Sequence, residues 1–295
     1  MDIRARFMPT LAILQHDLGT LASNWLVRLW LLVSAALVFL VVSGNWPRVE
    51  DGPLIAMTLI PYLFMPWFLV VIMLGVGPVA GARSESLADG LLSRPVTRYE
   101  YLLASWAARV ITVLGVFLVV VVPAILMIVL ANRPEPADPV TAYGIFAALF
   151  VVCLVLTLQV SLAFLLGTLL RRQMVAVALL AMGWLVSATV LGTFQLEELS
   201  PISLSQAMPA LLTQPWSEKE KTPEAIEASD FSEIFKPMGD LMGFGAPPPP
   251  KKEDGKFFDR EAYKDVSLWR VTLGYGIPTL LSIVLATIVF CRRDL

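Results

Sequence analysis

The run "AARVITVLGVFLVVVVPAILMIVLA", Ala107 to Ala131, decides the fold class. Arg109 is its only charged side chain, and it stands near the start. A bilayer's hydrocarbon slab is about 30 Å thick, and a helix needs about 20 mostly apolar residues to cross it. The run therefore reads as a transmembrane helix. Five further runs have the same character: Trp25–Ser43, Leu54–Gly77, Ala142–Thr168, Met174–Gly192 and Leu268–Cys291. With 57% hydrophobic and 16% charged residues over 295 positions and a mean hydropathy of +0.73, a single soluble core is excluded. The expected fold is all-α, a polytopic membrane protein of six transmembrane helices.

Short-loop arginines set the orientation, because an excess of them marks the cytoplasmic side. In a six-span arrangement Arg4, Arg6, Arg28, Arg83, Arg94, Arg98, Arg109, Arg171, Arg172, Arg292 and Arg293 share one side, while Arg48 and Arg133 lie opposite. Both termini are expected in the cytoplasm. The loop near residues 193–267 carries every lysine, but loops of that length cross largely regardless of charge. The first span lacks a small-residue cleavage site and is expected to remain as an anchor. Residues 1–24 then form a cytoplasmic interfacial helix, and 25–192 hold five spans with a cytoplasmic loop at 82–104. Residues 193–267 form a long, partly disordered extracytoplasmic loop, and 268–295 the sixth span and a cytoplasmic tail. Cys153 and Cys291 both fall at span positions and cannot staple the outer loop. Nothing in the charge pattern suggests a nucleic-acid partner.

Before the first span, Leu11, Leu14, Leu18, Leu21 and Ala22 lie near one helical stripe, with Gln15, His16, Asp17 and Thr20 largely off it, as in an interfacial helix. His16, the chain's single histidine, has no second ligand nearby and reads as a polar-face residue. Pro61, Pro66, Pro123 and Pro278 fall inside spans, where each removes a backbone donor and bends the helix locally. Arg28, Arg109 and Arg270 lie near span ends, where they can snorkel to the interface; Gln159 is the main strongly polar side chain at a span centre. Ion-driven carriers usually place titratable groups on the ion path, and these spans offer no such relay. In the outer loop, "LEELSPISLSQAMPALLTQPW" suits short helices near the membrane surface, with Ser200 and Pro201 as N-cap and first-turn pair. The later "GFGAPPPPKKEDGK" reads as an extended linker.

No G-x-x-x-x-G-K-[ST], H-E-x-x-H or G-x-S-x-G occurs, so neither a P-loop nor these hydrolase sites are present. The polar stretch "RSESLADGLLSRPVTRYE", Arg83 to Glu100, is the strongest remaining signal. Leu87 and Leu91 lie four apart on one helical face, and Glu85 and Asp89 four apart on a neighbouring one. Pro95 disfavours a helical Arg94 and ends the helix. Thr97 and Glu100 then have capping-box spacing, so a new helix is expected from about Arg98 into the third span. An amphipathic helix in such a loop can lie on lipid, but Glu85 and Asp89 oppose an anionic leaflet and favour a protein partner.

In "ESLADGLLSRPVTRYEYLLASW" the stretch resembles the cytoplasmic segment of type-2 ABC transporter permeases. Glu85, Leu91, Leu92, Ser93, Pro95, Val96, Thr97, Arg98 and Glu100 carry the likeness. Six spans, a cytoplasmic helix before the first, "LSPISL" after the fifth and the "CRRDL" end are similar to the family in layout. Ser86-Leu87 stands where the family often has Gly-Thr, and the outer loop is longer than in many relatives. The resemblance implies an exporter-type permease in the plasma membrane, of the bacterial inner-membrane kind, paired with itself or another permease chain. It further implies a separate ATP-binding subunit that holds ATP and magnesium, leaving this chain without catalytic, cofactor or metal residues. Glu85, Leu87, Asp89, Leu91, Leu92, Pro95, Arg98 and Glu100 would form its interface with that subunit. Two rivals differ in kind: a membrane scaffold or sensor recruiting a partner through its outer loop, and a channel or secondary carrier that needs no ATPase.

Overall fold

A computed structural model describes residues 3–64, 66–82, 97–131, 140–170, 172–193, 200–214 and 267–292. Every regular element among them is helical: α1 (Ile3–Ser23), α2 (Trp25–Asn45), α3 (Asp51–Leu63), α4 (Trp67–Ala82), α5 (Arg98–Leu130), α6 (Ala142–Leu169), α7 (Gln173–Thr193), α8 (Pro201–Leu212) and α9 (Leu268–Arg292). Among the described residues five stretches are long and apolar enough to cross a membrane: Trp25–Asn45, Asp51–Gly77, Tyr99–Leu130, Ala142–Leu169 and Leu268–Arg292. The sequence reading has a sixth at Met174–Gly192. There α7 is a helix of 21 residues, Gln173–Thr193, whose apolar stretch covers Gln173–Ser187 among the described residues.

Local chemistry sets the ends. Asn24 leaves the helical conformation between α1 and α2, and its Oδ1 accepts the Leu26 N–H at 2.9 Å. The expected span Leu54–Gly77 is two helices, α3 and α4. Proline at position 66 has no N–H to return to Tyr62, and α3 closes with the Phe64 N–H on Ile60 O at 3.1 Å. The 33 residues of α5 extend about 50 Å at 1.5 Å per residue, well beyond the hydrocarbon slab, so one end projects.

On α2 the buried residues Val27, Trp30, Ser34, Val38 and Val42 form one stripe, yet Leu29, Leu32, Phe39 and Leu40 on the outside are also apolar. A helix greasy on both faces suits hydrocarbon rather than water. The bundle centres on α6, which contacts α3, α4, α5, α7, α8 and α9. The α4–α6 seam is close because it uses glycine: a Cβ at Gly75 would meet Ala163 Cβ at 2.5 Å, and one at Gly167 would meet Val76 O at 2.7 Å.

The outer-loop segment "PISLSQAMPALL" is helix α8, with Ser200 as N-cap and Pro201 in the first turn. It packs into the bundle. Apolar residues on all its sides, including Leu204, Ala207, Met208, Leu211 and Leu212, are buried against α3 and α6. Thr141, the N-cap of α6, fixes it by donating its N–H to Leu212 O at 3.0 Å and its hydroxyl to Gln214 O.

Candidate functional site

Six of the eight residues singled out in the sequence, Glu85, Leu87, Asp89, Leu91, Leu92 and Pro95, lie outside the described residues, as does everything from 83 to 96. The remaining two open α5. Arg98 is its first residue, and Glu100 stands in its first turn, where Oε2 accepts the Thr97 N–H at 3.1 Å. This is the reciprocal arm of a capping box, and it fixes where α5 begins. The segment is therefore flanked by two long helices, with α4 ending at Ala82 and α5 starting at Arg98.

Those flanking helices are tied together deeper in the bundle. In α4 the carbonyl of Leu74 would normally receive the N–H four residues on, but position 78 is proline and has none. Arg109 of α5 occupies the vacated acceptor, its Nε donating to Leu74 O at 3.0 Å. Its Nη1 donates to Ser105 O at 2.7 Å and to Ser105 Oγ at 2.9 Å. The Ser105 hydroxyl in turn donates to Asp17 Oδ2 of α1 at 2.8 Å. A chain of charge-assisted bonds thus runs from the carboxylate of α1, through a hydroxyl and a guanidinium of α5, to a backbone oxygen of α4.

Arg109 is 8% exposed, so it does not snorkel as its position near a span end suggested. A cation withdrawn from solvent needs hydrogen-bond acceptors and an opposite charge near by, and this network supplies acceptors for Nε and Nη1 and the Asp17 carboxylate. The Tyr101 phenol lies within electrostatic reach of Asp17 and Arg109. Next to Ser105 in α5, Trp106 Nε1 donates to Ser161 Oγ of α6 at 3.0 Å, which anchors α5 to the central helix.

Asp17, Ser105, Leu74 and proline 78 were not candidates in the sequence. Asp17 reads there as one polar residue among several off the apolar stripe of α1, and a carbonyl has no letter of its own. The one available signal is a proline just past the second span together with an arginine inside the third. Matching the two requires the helix pairing.

Other buried polar groups lack protein partners. Gln159, at the centre of α6 and 1% exposed, has neither amide atom hydrogen-bonded. Among the described residues the same holds for Trp30 Nε1 and Trp67 Nε1 beside the α3–α4 break, where the two rings meet edge-on at 6.5 Å. Between α6, α7 and α9 lies a cleft of about 290 Å³, lined by Leu158, Leu162, Leu180, Gly183, Trp184 and Tyr275 among others. Among the described residues no three His, Cys, Asp or Glu side chains gather as metal ligands. The arrangement joins helices: a carboxylate of α1, a hydroxyl and a guanidinium of α5 and a backbone oxygen of α4.

No curated protein matches the chain. Residues 50–212, more than half of its length, match the family described as ABC-2 family transporter protein, a match that runs from the α3 start through the tied α4–α5 pair to the end of α8. The chain belongs to that family, as a multi-pass membrane permease component with no ATPase activity of its own.

Proposed function

We propose that this permease works with a separate ATP-binding subunit and exports a substrate across the plasma membrane, of the bacterial inner-membrane kind. In this reading the chain crosses six times, α7 included, and both termini are cytoplasmic. ATP and magnesium reside in the partner, and two permease chains, identical or related, form the pathway. Arg83 to Leu92 is the coupling helix. Leu87, Leu91 and Leu92 enter a groove of the ATPase, Glu85 and Asp89 face its basic rim, and the corner set by Pro95, Arg98 and Glu100 passes the movement on.

The observation that carries this reading is the Arg109 tie. The two helices that flank the segment are bonded to each other through a buried charge. A push on the segment then moves a connected pair of helices rather than a loose loop. A surface loop with no mechanical task has no need of such a tie, which also weighs against recruitment through the outer loop.

Leu87→Asp with Leu91→Asp, or charge reversal at Glu85 and Asp89, is expected to abolish co-purification with the ATP-binding subunit or the stimulation of its ATPase. Membrane insertion should be unchanged. Full stimulation in correctly inserted variants refutes the assignment.

A further inference from the structure

We propose that Arg109, Ser105 and Asp17 form a latch that carries movement of the 83–96 segment into α1, with Arg109 and Ser105 as positioning residues. The proposal rests on the coupling role given above and extends it to a helix that the family match, residues 50–212, does not include.

The geometry places the latch within mechanical reach of the segment. Leu74 lies eight residues before the end of α4, and Arg109 eleven after the start of α5. At 1.5 Å per residue the tie is therefore about 12–17 Å from either end of the segment, two to three helical turns along α4 and α5. Displacement of the segment reaches Leu74 O and Arg109 together.

α1 has few other holds on the bundle. It packs mainly on α5, with a smaller contact to α2, and much of its surface stays open, with Leu11 60% exposed. The Ser105 to Asp17 bond is a polar grip in that contact, made at 2.8 Å. Asp17 stands three residues after Leu14 and four before Leu21, at the flank of the apolar stripe, which brings its carboxylate to α5.

The chemistry also suits a joint that opens and closes. A helix carbonyl engaged by its own N–H resists a new partner, but Leu74 O, facing proline 78, has no such bond to lose. Arg109 can leave it or return without unwinding α4. A hydroxyl between the two charges can rotate to follow either of them. An apolar residue would fill the same space without the desolvation cost of a buried cation, so simple packing does not account for arginine here.

The test uses the complete complex of permease and ATP-binding subunit in lipid nanodiscs, read by amide hydrogen exchange with and without trapping by Mg-ATP and vanadate. In the native chain, trapping should change exchange both in peptides covering 83–96 and in α1, by at least about fivefold, the low end of an energetic coupling between sites. In Ser105→Ala and in Asp17→Asn the 83–96 response should persist and the α1 response should vanish. Arg109→Lys keeps the charge but not the two-sided fork, and should show a weakened α1 response. Ser105→Ala is nearly isosteric and Asp17 is only half-buried, so both variants should assemble. An α1 response equal to the native one in both variants overturns the latch alone. Absence of any 83–96 response in the native complex overturns the coupling role, and the latch with it.

Discussion

If proline 78 vacates Leu74 O for Arg109, the two residues must be energetically coupled with a definite sign. Arg109→Met keeps much of the stem and removes the Nε bond to Leu74 O and both Nη1 bonds to Ser105. It also removes a buried cation whose desolvation costs several kcal/mol, so the stability of this single variant decides nothing. What it leaves behind is decisive: a buried carbonyl with neither a helix donor nor a side-chain donor. Pro78→Ala supplies the missing N–H. Removing an interior proline is worth about 3 kcal/mol in any background, and this common term cancels in a double-mutant cycle. The surplus is the restored bond, about 1–2 kcal/mol when buried-carbonyl costs are weighed against the smaller values for hydrogen bonds between membrane helices. Pro78→Ala should therefore stabilise the Arg109→Met protein more than it stabilises the native one, by that amount. Equilibrium unfolding in mixed micelles with increasing SDS measures all four corners. Additivity within about 0.5 kcal/mol would show that the carbonyl and the guanidinium are neighbours without being partners.

Three further substitutions probe the frame around the tie. Gly75→Ala places its Cβ against Ala163 Cβ and should cost about 1–3 kcal/mol as overpacking; adding Ala163→Gly should recover most of it, and failure to recover locates the strain elsewhere. Gly144→Ala would drive a methyl into the backbone of Leu212, with Leu211 O 2.7 Å away, so α8 must lift from α6 and its amides should exchange faster. Unchanged exchange across 201–212 would contradict the contact. Glu100→Ala removes the acceptor of the Thr97 N–H and should cost about 1 kcal/mol of helix-start stability, visible as faster exchange confined to the first turn of α5.

Helix composition was the legible part of this molecule. Apolar length alone located the stretches now seen in α2, α3–α4, α5, α6 and α9, because the bilayer imposes one length on them all. Thr97 and Glu100 announced the start of α5, and Ser200 with Pro201 that of α8, since capping is chemistry between near neighbours. The break between α3 and α4 was legible only as two prolines. Burial of α8 was not legible, because a short apolar helix reads the same on a membrane surface as inside a bundle. The carboxylate, hydroxyl and carbonyl around Arg109 come from positions 17, 105 and 74, and no local pattern brings three helices together.

The buried arginine bears on the energy source as well. An ion-driven carrier needs a group that gives up and regains a proton or coordinates an ion as the pathway opens to each side. A guanidinium keeps its proton at working pH, and this one is committed to Leu74 O and Ser105. Its counter-charge, Asp17, belongs to α1, outside the five apolar crossings. This buried charge is thus engaged in holding helices to each other, which makes it a part for transmitting force and a poor one for carrying ions. In the proposed function the force comes from an ATP-binding subunit, and the tied α4–α5 pair leads to the segment where that subunit would apply it.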